Sequence, residues 1–520
     1  MAAVVGLLAL TAWWILHFPY DADRLHRAIP ADVTILTEHH ALGARWPEMA
    51  RNPLILAAAG YTNAAAAART GGPLDPDLCR MLRFAAPRYT LAAWSPREEA
   101  WMAVSWLGWR SQVIRFLCVF GLARGFEPVR DGGPLRSWTR QDPARPAGRY
   151  LSIGVADGVL AVTLSNDAEA ALRMLYRMEY ASAPAAAVQH RLQAPPRRAS
   201  DADRLWVRWT VPGNEGNREQ EIAVSVTAMN EARTAGSFRL SGAGMNAGLS
   251  ERPAALDYWD VPLRLLPDTP VAAVLLRTGG ARPLGLLDPM LGPTGRAVTT
   301  ALEDMAAEAP GCFAAILGGD YGGRILGLRV PSVVVGWRVA PGADVAGGTQ
   351  RVLDALNATN RLGLLPRATK LAGRPATLID ASQAGLLAGM DERERPVVVV
   401  ESGWVLVSSC AESLERLFTE QRPPAFPGRP SWRTGERDGG AMTVFVDTAA
   451  VEQSLRHALA VYELSLLIDG KKAARAERQR LNDIRFRLAT LARAGDLTLT
   501  ASPRGAALEG RFSTGSASSE

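Results

Sequence analysis

The sequence predicts an α+β protein of two related domains in tandem, each a largely antiparallel sheet with helices packed on it. Short apolar runs closed by turn residues alternate with helical stripes along the chain. One series of these elements occurs twice at an offset of about 245 residues, the mark of an internal repeat. The length of 520 residues, at roughly 100–200 residues per domain, makes two or three domains.

Hydrophobic residues make up 48% of the chain and charged residues 21%, which excludes disordered, collagen-like and coiled-coil classes. A net charge of +6 over this length is too small for a nucleic-acid-binding surface spread over the whole molecule. All 58 basic residues except Lys370, Lys471 and Lys472 are arginine, a bias of composition rather than of chemistry. Cys79, Cys118, Cys312 and Cys410 lie far apart without C-x-x-C spacing. That argues against zinc and redox motifs and leaves buried free thiols, with disulfides still open.

From Ala2 to Phe18 the chain is uncharged and almost wholly apolar, with Trp13 and Trp14 near its end and Pro19-Tyr20-Asp21 at the exit. Residues 1–20 are read as a transmembrane anchor or signal segment, barely long enough to span a bilayer at about 17 residues. Neither a basic start nor an A-x-A-like site is present, so an uncleaved anchor is preferred to a cleaved signal, with a buried helix as the third reading. Arg24 and Arg27 follow the segment and oppose export under the positive-inside rule. One N-terminal anchor before a large globular region nevertheless places the bulk of the chain outside the cytoplasm, at the inner (cytoplasmic) membrane.

The first copy spans 27–250. It opens with a turn into Val33 to Leu36, then runs Tyr89 to Trp94, Trp101 to Trp106 and a helix carrying Val113, Phe116, Leu117 and Phe120. A further strand and a hairpin about Asp157-Gly158 lead to a helix through Ala171, Leu172 and Leu175. Leu205 to Val211, Ile222 to Thr227 and Ser237 to Ser241 close the series. The second copy, 260–513, repeats it with Val271 to Leu276, Cys312 to Leu317, Val333 to Val339 and a helix through Val352, Leu353 and Leu356. Its hairpin turns at Ser402-Gly403, its helix carries Leu414, Leu417 and Phe418, and its last strands are Met442 to Val446, Leu497 to Thr500 and Ala507 to Phe512. Hairpins 154–164 and 397–408 are therefore expected at equivalent places in two superposable sheets. Asn246 to Pro253 reads as a linker and 514–520 as a polar tail.

Where the first copy has a short loop, the second inserts a helical hairpin at 448–494. Val451, Leu455, Ala458, Leu459, Tyr462 and Leu466 form one apolar stripe; Leu481, Ile484, Leu488 and Leu491 form the other. An anchor, two degenerate repeats and a hairpin in the second resemble bacterial membrane-anchored envelope proteins of unassigned function. The resemblance covers most of the chain through pattern and carries no site residue.

Gly242-Ala243-Gly244-Met245-Asn246-Ala247-Gly248 has the wrong spacing and place for a dinucleotide loop, and neither a P-loop nor G-x-S-x-G occurs. His39 and His40 are adjacent, so they point to opposite sides of a strand and chelate poorly together. Asp304 and Glu308 share a helical face that reads as solvated, and Asp320 reads as a turn residue. No catalytic residue, metal or cofactor is assigned.

Two surfaces remain. Trp94, Trp101, Trp106 and Trp109 can form a ligand platform on the first copy, although the odd spacing of Trp101 and Trp106 puts them on opposite faces of one strand. Between Asp469 and Ala494 eight basic residues face three acidic ones, and Lys471, Lys472, Arg475, Arg478 and Arg485 are the expected contacts for an acidic protein or anionic lipid. The expected function is a non-enzymatic, membrane-anchored binding or scaffold protein of the envelope, without nucleic acid as a partner. An envelope-polymer hydrolase with a carboxylate pair, or a carrier of an apolar ligand, are the alternatives.

Overall fold

The computed structural model describes residues 18–61, 63–69, 71–129, 135–141, 148–181, 203–213, 216–242, 265–267, 270–277, 300–301, 304, 311–318, 321–325, 328–360, 363–381, 390–420, 441–456, 459, 474–505 and 507–515. The apolar segment 1–17 and the glycine-rich stretch 243–248 lie outside them, as do Glu308 and Asp320.

In the first half, helix α1 (Ala22–Ala28) leads into β1 (Ile35–His40). Four short helices follow: α2 (Leu42–Met49), α3 (Pro53–Ala58), α4 (Ala64–Ala67) and α5 (Pro76–Ala85). Asn52, Asn63 and Asp75 cap the last three, and proline opens α3 and α5, where its missing N–H costs nothing. Then come β2 (Tyr89–Ser95), β3 (Ala100–Trp106), α6 (Arg110–Val119), β4 (Glu127–Val129), β5 (Arg136–Gln141), β6 (Tyr150–Ala156), β7 (Val159–Ser165) and α7 (Ala170–Tyr180). Three strands end the half: β8 (Asp203–Gly213), β9 (Gly216–Met229) and β10 (Thr234–Gly242).

The second half has β11 (Ala272–Arg277), β12 (Gly311–Leu317), a small separate pair β13 (Gly323–Ile325) and β14 (Leu328–Val330), and β15 (Ser332–Arg338). Helix α8 (Val345–Asn360) leads to β16 (Leu364–Leu371), β17 (Arg374–Ala381), β18 (Val397–Glu401), β19 (Trp404–Ser408) and α9 (Ala411–Thr419). After β20 (Met442–Val446), a helical segment 448–456 and α10 (Ala474–Leu491) precede β21 (Asp496–Arg504) and β22 (Ala507–Gly515).

All the strands except β13 and β14 join one twenty-stranded antiparallel sheet. The first half runs β4-β5-β6-β7-β3-β2-β1-β8-β9-β10 from edge to centre. The second runs β16-β17-β18-β19-β15-β12-β11-β20-β21-β22, with corresponding strands in corresponding places. Small bonds agree as well: Leu107 donates its N–H to Gly158 O at 2.7 Å, and Val339 donates to Gly403 O at 3.0 Å.

The sequence suggested two separate sheets. Instead β10 and β22 pair along their length, from Thr234 with Thr514 to Ser241 with Ala507. Each would otherwise be an open edge. At this seam Gly236 lies opposite Phe512 and Phe238 opposite Gly510, so each ring occupies the space a Cβ would fill on the facing glycine. The contact is self-complementary, as in an isologous interface. The outer edges are protected by other means: β4 is three residues long and contains Pro128, while β16 carries Pro366, Arg367 and Lys370.

One face of each half holds its main core. Leu25 and Ala28 of α1 and Met174, Leu175 and Met178 of α7 pack there on Leu36, Leu91, Met102, Val104 and Trp106. In the second half Leu414 and Leu417 of α9 pack on Leu275, Phe313, Val399 and Leu406. On the other face α6 and α8 cover only part of the sheet, through Cys118 against Trp138 and Leu160, and Leu353 against Trp337 and Val405. All four cysteines are free thiols, three of them buried. Among the described residues, no helix is long and apolar enough to cross a membrane.

Candidate functional site

The sheet face opposite the main cores carries the exposed apolar groups that a site can use. Trp94 and Trp101 are the outermost pair on this face of the β2–β3 hairpin, their rings 5.3 Å apart and inclined at 45°. Trp101 is 45% exposed. Next to Trp94 lies Ile35, paired in turn with Val207, both half-buried. In the second half the corresponding pair is Ile316 and Val333, both exposed, flanked by Ala272 and Val446. The next pair in each hairpin, Ser95 with Ala100 and Leu317 with Ser332, turns inward and is buried. Both halves thus present a pair of large apolar groups at one lattice position, as indoles in the first and aliphatic chains in the second.

The expected platform of four tryptophans is divided by strand geometry. Trp106 lies five residues from Trp101, hence on the other face, and is buried in the main core at 2% exposure, so it belongs to no platform. Trp109 is exposed, but at the N-terminus of α6. Only Trp94 and Trp101 of the four meet on the open sheet face.

On the inserted hairpin, Lys471 and Lys472 lie outside the described residues. Arg475 and Arg478 lie on α10. Arg485 is half-buried, while Arg480 and Arg487 are exposed. The apolar seam departs from its sequence pattern: Leu481 is buried, but Ile484 is 45% exposed. The C-terminal end of α10 docks on the first half, where buried Thr490 donates its hydroxyl to Tyr61 O at 3.2 Å.

Sequence reading missed a buried polar network at the end of β1. Glu38 points into the main-core face at 6% exposure and pairs with Arg204 at 3.2 Å and His40 at 3.6 Å. Tyr89 hydrogen-bonds Glu38, and its hydroxyl lies 2.8 Å from Nε2 of His26. Burial alone would raise the Glu38 pKa, but the hydrogen bond from His40 and the charge of Arg204 hold it below the ordinary carboxylate value. Burial lowers His26 and raises Tyr89, and Tyr20, whose ring sits edge-on to Tyr89, is pushed up to about 12, chiefly by burial. His39 points the other way, to buried Asp203 at 3.1 Å, which also takes two bonds from Arg45 at 3.1 and 2.7 Å. The adjacent histidines therefore serve different faces, and among the described residues no group of His, Cys, Asp and Glu is arranged to hold a metal ion. The only signal in the sequence was a Glu-His-His run on a strand that otherwise faces a core.

Arg24 and Arg27, which complicated the reading of orientation, have partners in the fold. Arg24 bridges to Glu179 of α7 and to Asp157 O, tying α1 to the first half, and Arg27 pairs with Asp21 at 3.7 Å.

No protein-family model matches the chain, and no curated protein matches it significantly. Among solved structures, crystal form IV of TP0453 is similar over 41% of this chain and 79% of its own, at 11% identity and a TM-score of 0.26. Crystal form I of TP0453 is similar over 48% of this chain and 86% of its own, at 11% identity and a TM-score of 0.27. Superpositions this loose establish neither a shared fold nor a shared function.

Proposed function

We propose that this chain is a non-enzymatic, membrane-anchored binding or scaffold protein of the cell envelope, built from two copies of one α+β unit, with its bulk outside the cytoplasm. On this reading residues 1–20 are the anchor, and the open sheet face receives an apolar ligand or the apolar surface of a partner. The observation that supports it best is the recurrence of a large apolar pair, half-buried Trp94 with exposed Trp101 and exposed Ile316 with exposed Val333, on the face opposite both main cores. A fold needs neither pair exposed, and large apolar groups gathered on a rigid sheet mark a binding surface.

The test is saturable binding of a fluorescent acyl-chain probe to the full chain, with Trp101→Ser and Val333→Ser as variants. Each is expected to weaken binding and leave the folded state within about 0.5 kcal/mol, as for most exposed positions. Saturable binding unaffected by either variant, or none at all, would refute this use of the face. External protease acting on intact cells and on spheroplasts reads the orientation.

A further inference from the structure

The first half exposes a second apolar surface, on α6. Cys118 and Ser111 are buried beneath this helix, and the opposite side carries Trp109, Val113, Phe116 and Phe120 at the i, i+4, i+7, i+11 spacing of one outward stripe. Trp109 is 53% exposed, Phe116 54% and Phe120 65%, with the Phe116 and Phe120 rings 4.4 Å apart. Leu117, Val119 and Leu122 beside them are exposed too. So much aromatic and aliphatic surface on one short helix is unusual for a face turned to water.

Two observations say what covers it. From Ala100 to Phe126 the charged residues are Arg110, Arg115 and Arg124, with no acidic residue among them. Of the three, Arg110 donates to Arg83 O and Phe84 O and Arg115 lies on the side of Ser111 and Cys118, while Arg124 is exposed beside Leu122. An apolar, aromatic face with an exposed arginine at its end suits the boundary between acyl chains and anionic headgroups. The point at which the chain's apolar N-terminal segment ends agrees. Its last residue, Phe18, packs on the main core and lies against Gly158, while Tyr20 sits edge-on to Trp106. Gly158 is also the residue that seats α6: its carbonyl accepts the N–H of Gly108 at 3.0 Å, and its own N–H donates to Ser111 Oγ at 3.1 Å. One glycine therefore joins the exit of the apolar segment to the root of the exposed helix.

We propose that the outward face of α6, with Leu122 in the turn after it, lies in the interfacial layer of the bilayer that holds residues 1–20. This rests on the anchor reading and adds a second contact, which fixes the rotation of the first half against the membrane. Exposed Arg124, in the turn after α6, faces the headgroups, while Phe116, Phe120 and Leu122 enter the acyl boundary.

The test uses the full chain reconstituted in phosphatidylcholine vesicles with and without phosphatidylglycerol, in a Cys79→Ser background. A polarity-sensitive fluorophore is placed at Phe120→Cys and, as a control, at exposed Leu365→Cys of the second half. The label at 120 is expected to shift to the blue, lose quenching by aqueous iodide and gain quenching by a nitroxide lipid, more so with phosphatidylglycerol; the label at 365 stays aqueous. Flotation after an alkaline carbonate wash reads the anchor separately. A chain that floats with an aqueous label at 120 overturns the α6 contact and leaves the anchor. A chain that washes off while its label still shifts on vesicles supports α6 as a membrane-binding face and overturns the anchor. A chain that washes off with an aqueous label overturns both.

Discussion

In the first half β2 and β3 set Leu91 opposite Val104 in the main core; at the corresponding position of the second half, β12 and β15 set Phe313 opposite Gly336. One half uses two medium side chains, the other a ring and a glycine whose absent Cβ leaves the ring its space. Nearby the halves diverge in kind rather than in shape. Glu38 faces Arg204 across β1 and β8, where Leu275 faces Thr443 across β11 and β20. Because the second half holds the same strand pairing with a leucine at that position, a buried carboxylate is not a requirement of this sheet. The glutamate network at this position thus distinguishes the first half from the second.

The largest effect expected from this comparison is at Gly336. A Cβ there would lie 2.3 Å from the Phe313 ring and 2.9 Å from Leu406, so Gly336→Val should cost about 3 kcal/mol by overpacking. Adding Phe313→Leu installs the first half's own pair, and denaturant unfolding of the double variant should recover most of that loss. A double variant no more stable than Gly336→Val alone would break the correspondence between the halves.

Next in size is the network. Glu38→Leu leaves Arg204, His40 and Tyr89 without their shared acceptor and should destabilise by about 2–3 kcal/mol, as for a broken buried charge pair. Glu38→Leu with Arg204→Thr copies the second half, and thermal unfolding should show part of the loss returned. Equal stability of the single and double variants would mean that Arg204 is fully solvated once Glu38 is gone.

How much of this was legible in the sequence differs by element. The hairpins at Asp157-Gly158 and Ser402-Gly403 were plain, because alternating apolar residues flank a turn that needs a glycine with positive φ, and both glycines have φ near 78°. Strands β16 and β17 were harder: β16 lies at the edge, is mostly exposed and carries Pro366, Arg367 and Lys370, so it lacks the apolar signature of a central strand. The alanine-rich stretch between β1 and β2 hid α2 to α5; the starts of α3 to α5 are marked by caps more than by periodicity, and α2 has no side-chain cap. Gly236-x-Phe238 and Gly510-x-Phe512 were visible as words, but their meaning depends on two strands 274 residues apart meeting face to face. The open sheet face was half legible: period two separates Trp101 from Trp106, whereas the partnership of Trp94 with Trp101 requires the hairpin register.

A smaller effect concerns pH. Burial holds the His26 pKa below its ordinary 6.5, so the unfolded chain binds the proton more readily than the folded one. Its contribution to stability is complete above about 6.5 and is lost as the pH falls below that value. Glu38, also depressed, adds a second loss as the pH falls below its ordinary 4.5. Unfolding free energy measured between pH 7.5 and pH 5 should therefore decline, and His26→Gln should flatten that decline without touching the lower one. A pH profile unchanged by His26→Gln would show that the first half's network has no sensitivity in this range.

The smallest expected effect tests the element that has no counterpart in the first half. Helix α10 is anchored at its C-terminal end by buried Thr490, which donates to Tyr61 O of the first half. Arg480 and Arg487 are exposed, and reversing both to glutamate should leave unfolding within about 0.5 kcal/mol of the parent chain. The local field would nonetheless change by four charges on a helix that holds half of the chain's basic excess. If this surface meets anionic headgroups or an acidic partner, cosedimentation with phosphatidylglycerol vesicles should fall in low salt and the difference should vanish as salt screens it. Because α6 lies in the first half and α10 in the second, combining Arg480→Glu and Arg487→Glu with the label at Phe120→Cys separates the two surfaces. A label that stays in the bilayer while vesicle binding weakens assigns α10 an independent contact; unchanged binding in the folded double variant leaves its arginines as a solvated face.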